Sequence, residues 1–183
     1  MDVAMRATLV GDEVVQTPFG KFLVNDRDLI ESTIKAGTVW DGPGFLQVIA
    51  REHVDPGTTV LDIGANVGAW TIWLAWIGTF RIVAVEPVPQ TLSRLKANLD
   101  LNKDTCADRV VVVPEAGWGF RARLSIKGVY DPTNQGGTRL HMDEDGDIQG
   151  VPLDDYRGVL FGKRVSLIKI DTEGSELHVL HGL

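Results

Sequence analysis

Two glycines and two carboxylates in the middle of the chain carry the most chemical information. Val60-Leu61-Asp62-Ile63-Gly64-Ala65-Asn66-Val67-Gly68 is a short apolar run that passes into a glycine-spaced turn, and a helix-like segment, Ala69 to Ile77, follows at once. Gly64 and Gly68 let the backbone turn sharply and approach a ligand closely, while the unpaired N–H groups of the helix start face whatever the loop holds. Such a loop suits a nucleotide-like ligand. The spacing is G-x-x-x-G, without the first glycine of the dinucleotide fingerprint, and Asp62 sits where it would repel a pyrophosphate. A ligand bearing an amine and a sulfonium suits that carboxylate better, which disfavours an NAD-dependent oxidoreductase.

Arg81-Ile82-Val83-Ala84-Val85-Glu86-Pro87 is a second apolar strand ending in an acid. Glu86 lies close to the roughly 20-residue offset at which an acid at the end of the second strand takes a ribose diol. Ser166-Leu167-Ile168-Lys169-Ile170-Asp171-Thr172-Glu173 is a further strand ending in two carboxylates. In a sheet whose fourth strand lies beside the first, Asp171 stands next to the Gly64 to Gly68 loop, with Glu173 placed to cap or orient.

The elements that must position these residues follow from periodicity. Residues 7 to 24 read as a β segment with turns at Gly11-Asp12 and Pro18, and Asp28 caps a short helix through Ala36 that Gly37 stops. Thr38 to Gly44 is a loop from which Trp40 can roof a ligand. Phe45 to His53 is helical and ends at Asp55-Pro56-Gly57. Pro87 to Asn102, with Leu92, Leu95 and Leu99 at helical spacing, is a crossover helix. Val110 to Val113 is a continuous apolar strand leading to Glu115-Ala116, and Ser175 to His181 begins a last helix. Strands alternating with helices predict a Rossmann-like α/β unit with its site at the carboxyl ends of a parallel sheet.

From Trp118 to Gly150 the pattern changes to a glycine-rich insertion with β-like runs at Ala122 to Ile126 and Thr138 to Met142. Asp145-Gly146 is expected as a hairpin turn. A calcium loop over Asp143, Asp145 and Asp147 fails, because Gly146 is misplaced and no glutamate follows at the twelfth position. Tyr130 to Arg139 is the expected acceptor loop or lid.

Composition bounds the rest. The 183 residues suffice for one compact domain, divided as an accessory β/α segment over 1–58 and a Rossmann-like unit over 59–183. A formal charge of −7, a pI near 5.0 and the lack of a basic run argue against nonspecific nucleic-acid binding. The lone Cys106 excludes an intrachain disulfide and sits in a polar stretch unsuited to a catalytic thiol. The start has no targeting pattern, and Ala69 to Ile82 falls short of the roughly 20 residues that span a bilayer. A cytoplasmic protein without membrane contact is expected.

Val60 to Gly68, Val83 to Pro87, Val151-Pro152-Leu153-Asp154-Asp155-Tyr156 and Ile168 to Leu177 together resemble the FkbM family of S-adenosylmethionine-dependent methyltransferases, and Thr17-Pro18-Phe19-Gly20 to Asp28 matches the family's lead-in. The Ile-Asp-x-Glu-Gly ending of the fourth strand, with the preceding Leu-Asp-Asp, narrows the resemblance to this family. It implies a Rossmann-like methyltransferase fold using S-adenosylmethionine, commonly to methylate hydroxyls of sugars, polyketides or related metabolites. By motif position, Gly64, Ala65, Asn66 and Gly68 wrap the methionine end and Asp62 sits beneath it. Glu86 with Pro87 holds the ribose side, and Glu115 or Ala116 borders the adenine. A hydroxyl acceptor must lose its proton, and Asp171, Glu173, His141 and His178 are the available bases. Asp171 with Glu173 can alternatively hold a metal that acidifies the hydroxyl.

A full methyltransferase sheet continues past its fourth strand, whereas this sequence ends at Leu183. An incomplete sheet is therefore expected, lacking the C-terminal strands, with the strand near 166–171 at an edge that a homodimer or a partner subunit would cover. The competing reading is a cofactor-binding remnant or accessory subunit that turns over only with a partner.

Overall fold

The computed structural model describes residues 11–38, 44–78, 80–158 and 164–183. Trp40 and the Leu9-Val10 start of the N-terminal β segment lie outside them.

The chain order is β1 (Glu13–Thr17), β2 (Gly20–Val24), α1 (Leu29–Lys35), α2 (Phe45–His53), β3 (Thr59–Ile63), α3 (Ala69–Ile77), β4 (Arg81–Val85), α4 (Pro89–Leu101), α5 (Lys103–Cys106), β5 (Val110–Val113), β6 (Ala116–Gly117), β7 (Ala122–Ile126), β8 (Leu140–Met142), β9 (Ile148–Val151), β10 (Val165–Ile170) and α6 (Glu176–His181). Short 3-10 turns occupy Gln135–Gly137 and Leu153–Tyr156.

The central sheet runs β10-β3-β4-β5, and every pairing is parallel. Both faces of its inner strands β3 and β4 are covered, which is why these read as unbroken apolar runs. Val60 and Ile82 face a core shared with α3 and with Phe22, Val24 and Ile34 of the N-terminal segment. Leu61, Ile63, Val83 and Val85 face the other way, onto Leu153 and Val179. The N-terminal hairpin and α1 therefore share the core of the sheet. Register aligns the strand ends, with Ile170 opposite Ile63, Ile63 opposite Val85, and Val85 opposite Val113. The residues just beyond that row are Asp171, Gly64, Glu86 and Pro114, so the sheet brings distant sequence positions to one rim.

Local signals behave as their chemistry dictates. Asp28 caps α1 by accepting from the backbone N–H of Ile30 and Glu31. The crossover helix starts at Pro89, two residues later than Pro87, because a residue preceding proline is pushed to extended backbone and Val88 adopts it.

The insertion is more ordered than loops and hairpins. It forms a second four-stranded sheet, β6-β9-β7-β8. β7 pairs antiparallel with both β8 and β9 and so lies between them. The Asp145-Gly146 turn is consequently no hairpin between neighbouring strands: it crosses over β7. The Arg123 Nε donates to the Gly146 carbonyl at 2.8 Å, and a Cβ at Gly146 would stand 2.3 Å from the Leu124 carbonyl oxygen. Only glycine permits that crossing.

In the strand orders, β10 and β5 are the outer strands of the central sheet, and Ile168 on β10 is 42% exposed. Among the described residues no helix is long and apolar enough to cross a membrane.

Candidate active site

The rim of the central sheet opens into two adjoining chambers. Gly64, Asn66, Gly136, Asp171 and Glu173 border both. The first lies over the ends of β3 and β4, with Glu86, Val85, Val88, Thr91, Ala116 and Leu140 among its walls. Ile30, Trp70 and Lys169 help to wall the second.

The Gly64 to Gly68 turn is dictated by close packing. Gly64 has φ +80, and a Cβ there would stand 1.8 Å from the Asp171 carbonyl oxygen. β10 and the loop approach so closely that no side chain fits. Gly68, with φ +91, serves the fold and borders neither chamber: its bare Cα admits Leu95, whose Cδ1 would meet a Cβ at 2.7 Å. Between them Asn66 takes φ +53, a left-handed conformation that asparagine tolerates, and its Oδ1 accepts from the Val67 N–H at 2.7 Å. Ala65 is buried along the second chamber.

Glu86 is buried in the wall of the first chamber. Its Oε2 accepts from the Asn66 N–H and its Oε1 from the Val88 N–H, each at 2.9 Å, so the carboxylate ties the loop after β3 to the one after β4. Burial pushes the carboxyl up to about 7, against those two backbone donors and the nearby Lys169 ammonium. Pro87 lies beside it in the same wall. The Thr91 hydroxyl is buried beside that of Tyr130.

Asp62 is fully buried and borders neither chamber. Its Oδ2 accepts from the Thr71 hydroxyl at 2.6 Å and its Oδ1 from the Lys169 ammonium at 3.1 Å. Lys169 also donates to the Gly64 carbonyl at 3.2 Å. Asp62 thus supports the loop from beneath rather than lining either chamber. Lys169 was not expected, although a lone charge in an apolar strand was the available signal.

Ala116 borders the first chamber but Glu115 does not. Glu115 lies beside the Tyr156 hydroxyl, whose pKa is raised by burial and then by that carboxylate. Asp171 and Glu173 reach both chambers. Glu173 takes φ +53, and its carboxyl is raised, first by burial and then by Asp171. His141 is exposed on β8, and His178 stacks on Trp118 with centroids 3.8 Å apart. Neither borders a chamber. Among the described residues no group of three or more His, Cys, Asp or Glu side chains is arranged to hold a metal ion. Cys106 is buried against the core and its thiol is pushed up to about 11, so it is inert despite its polar sequence neighbours.

The roof comes from the insertion. Gln135, Gly136 and Thr138 border the first chamber. The Gln135 N–H donates to Asp28 Oδ2 and its side-chain amide to Glu31 Oε1, each at 3.1 Å, while its Oε1 accepts from Tyr130. Glu31 is in turn held by Arg94 of α4, at 2.9 and 2.7 Å, and Arg94 also pairs with Asp12. A buried chain of polar groups therefore joins the N-terminal segment, α4 and the roof. Asn98 of α4 makes a second tie, accepting from the Leu23 N–H and donating to the Val67 carbonyl, each at 2.8 Å.

Residues 62–183, more than half of the chain, match the model of the methyltransferase FkbM domain. The chain belongs to the FkbM methyltransferase family. A curated relative, "Methyltransferase 1" of Beauveria bassiana, is 27% identical over 148 residues, covering 68% of this chain and 57% of its own length. The chain thus spans a little over half of that relative. Among solved structures, the FkbM methyltransferase of Methylobacillus flagellatus is similar at 24% identity, over 73% of this chain and 34% of that one, with a TM-score of 0.49. M. jannaschii TYW2, solved with AdoMet, is similar at 19% identity over 56% of this chain and 42% of its own, with a TM-score of 0.40.

Proposed function

We propose that this FkbM-family domain binds S-adenosylmethionine and directs its methyl group to a hydroxyl oxygen of a small molecule, a sugar or a natural product. The observation that carries the reading is the pairing of a chamber over the ends of β3 and β4, with the buried Glu86 carboxylate in its wall, and a second chamber that adjoins it at Asp171 and Glu173. The residues present fit the cofactor. Glu86 supplies an acceptor suited to a ribose diol, and Val85, Val88, Ala116 and Leu140 give an apolar wall for a base.

With Glu86 on its ribose side, the cofactor would supply an electrophilic methyl group on sulfur to the acceptor hydroxyl. The protein's task is alignment and removal of the hydroxyl proton. Alignment contributes up to roughly 7–11 kcal/mol when a bimolecular encounter becomes unimolecular. Asp171 and Glu173, at the junction of the chambers, are the groups placed to accept the proton. Environment favours Glu173, because burial and its neighbour Asp171 make its carboxyl the more basic for a carboxylate.

Titration of S-adenosylhomocysteine into the native chain should give micromolar binding that Glu86→Ala abolishes while the fold is kept. A screen of hydroxyl acceptors with methyl-labelled S-adenosylmethionine should then show turnover that Glu173→Gln lowers about 10²-fold or more without loss of homocysteine-adduct binding. A folded native chain that binds no S-adenosylhomocysteine refutes the proposal.

A further inference from the structure

The second chamber is bordered by one cation and two anions among its described residues, and they are unequally committed. Lys169 is 14% exposed at its side chain. Its ammonium has three donors, of which Asp62 and the Gly64 carbonyl take two. Asp62 has its other oxygen filled by Thr71, so the carboxylate is fixed and Lys169 is fixed with it. The ammonium is thereby pinned beneath the turn where the two chambers meet, with one N–H remaining. Asp171 and Glu173 supply negative charge on the same chamber's border.

That arrangement is complementary to a zwitterion, with a carboxylate at Lys169 and an ammonium at Asp171. It is unsuited to a pyrophosphate, whose charge Asp171 and Glu173 would repel. Resting on the cofactor reading above, we propose that Lys169 is a positioning residue for the amino-acid end of the cofactor, donating its free N–H to the carboxylate while Asp62 holds it in place. The nucleoside then fills the first chamber and the zwitterionic tail enters the second.

The test compares two probes on the full chain by isothermal titration: S-adenosylhomocysteine, which has the amino-acid end, and 5′-methylthioadenosine, which lacks it. Lys169→Met should weaken S-adenosylhomocysteine about 10- to 100-fold, the worth of one charge-assisted hydrogen bond, and leave methylthioadenosine within about twofold. Lys169→Arg should recover part of the loss. Because Lys169→Met strands the buried Asp62 charge, the same contrast is read in the Asp62→Asn, Lys169→Met double variant, which removes both charges. Equal loss for the two probes would overturn the proposal by reducing Lys169 to a support of the loop, and no loss for either would overturn it as well. If the native chain binds neither probe, the cofactor reading fails and takes the inference with it; binding of both by the native chain separates the two failures.

Discussion

Glu86 carries two opposing pH dependences. The folded chain keeps its proton to about pH 7, whereas an ordinary glutamate releases it near 4.5. The native state therefore binds more protons than the unfolded one between those values. The stability contributed by this group is complete below 4.5 and is lost as pH rises through 7. Ligand binding runs the other way, since a diol is held by the ionised carboxylate. S-adenosylhomocysteine affinity, measured by titration from pH 5.5 to 8.5, should weaken about tenfold per unit below pH 7 and level off above it. The ligand-free melting temperature should carry a downward contribution over the same interval, absent from Glu86→Gln. His141 and His178, though reactive types, stand outside both chambers.

The roof is held by an element that precedes the Rossmann-like unit in sequence. Gln135 bonds to the cap and first turn of α1, and Glu31 of that turn is fixed by Arg94 of α4. A buried ion pair gains little over a well-packed apolar pair, but removing one partner leaves an uncompensated charge that costs about 3–5 kcal/mol. Arg94→Met should lower unfolding stability by that amount in urea titration. Gln135→Ala should cost far less globally and instead raise amide exchange across 130–138 and weaken S-adenosylhomocysteine. Slower exchange in either variant would contradict the roof's attachment to α1. This link gives the hairpin β1-β2 and α1 a role in shaping the pocket, as their shared core with α3 gives them one in stability.

For the folded chain as a unit, ligand linkage offers the plainest measurement. A ligand that binds only the native state at about a hundred times its dissociation constant adds about 2.7 kcal/mol. For a chain of this length that corresponds to a rise of roughly 5–10 °C in melting temperature. S-adenosylhomocysteine should produce such a shift by scanning fluorimetry, and NAD should produce none. A shift with NAD alone would return the oxidoreductase reading. Methyltransferase family membership, stated by the match over 62–183, makes the first outcome the expected one.

The parallel unit and its rim were legible in the sequence because their signals are local. Apolar runs set β3, β4, β5 and β10, glycine spacing set the turn, and parallel register then places Gly64, Glu86 and Asp171 side by side. The family motif added the cofactor by resemblance. Tertiary structure alone decided which chemically able residues meet. Gln135 finds Glu31 from 104 positions away, and no local periodicity encodes such a pairing. Glu115 turns to Tyr156, Asp62 is consumed beneath the loop, and β7 separates β8 from β9, each for the same reason. Side-chain partners and strand order depend on which surfaces close on one another, and that is settled only when the whole core packs.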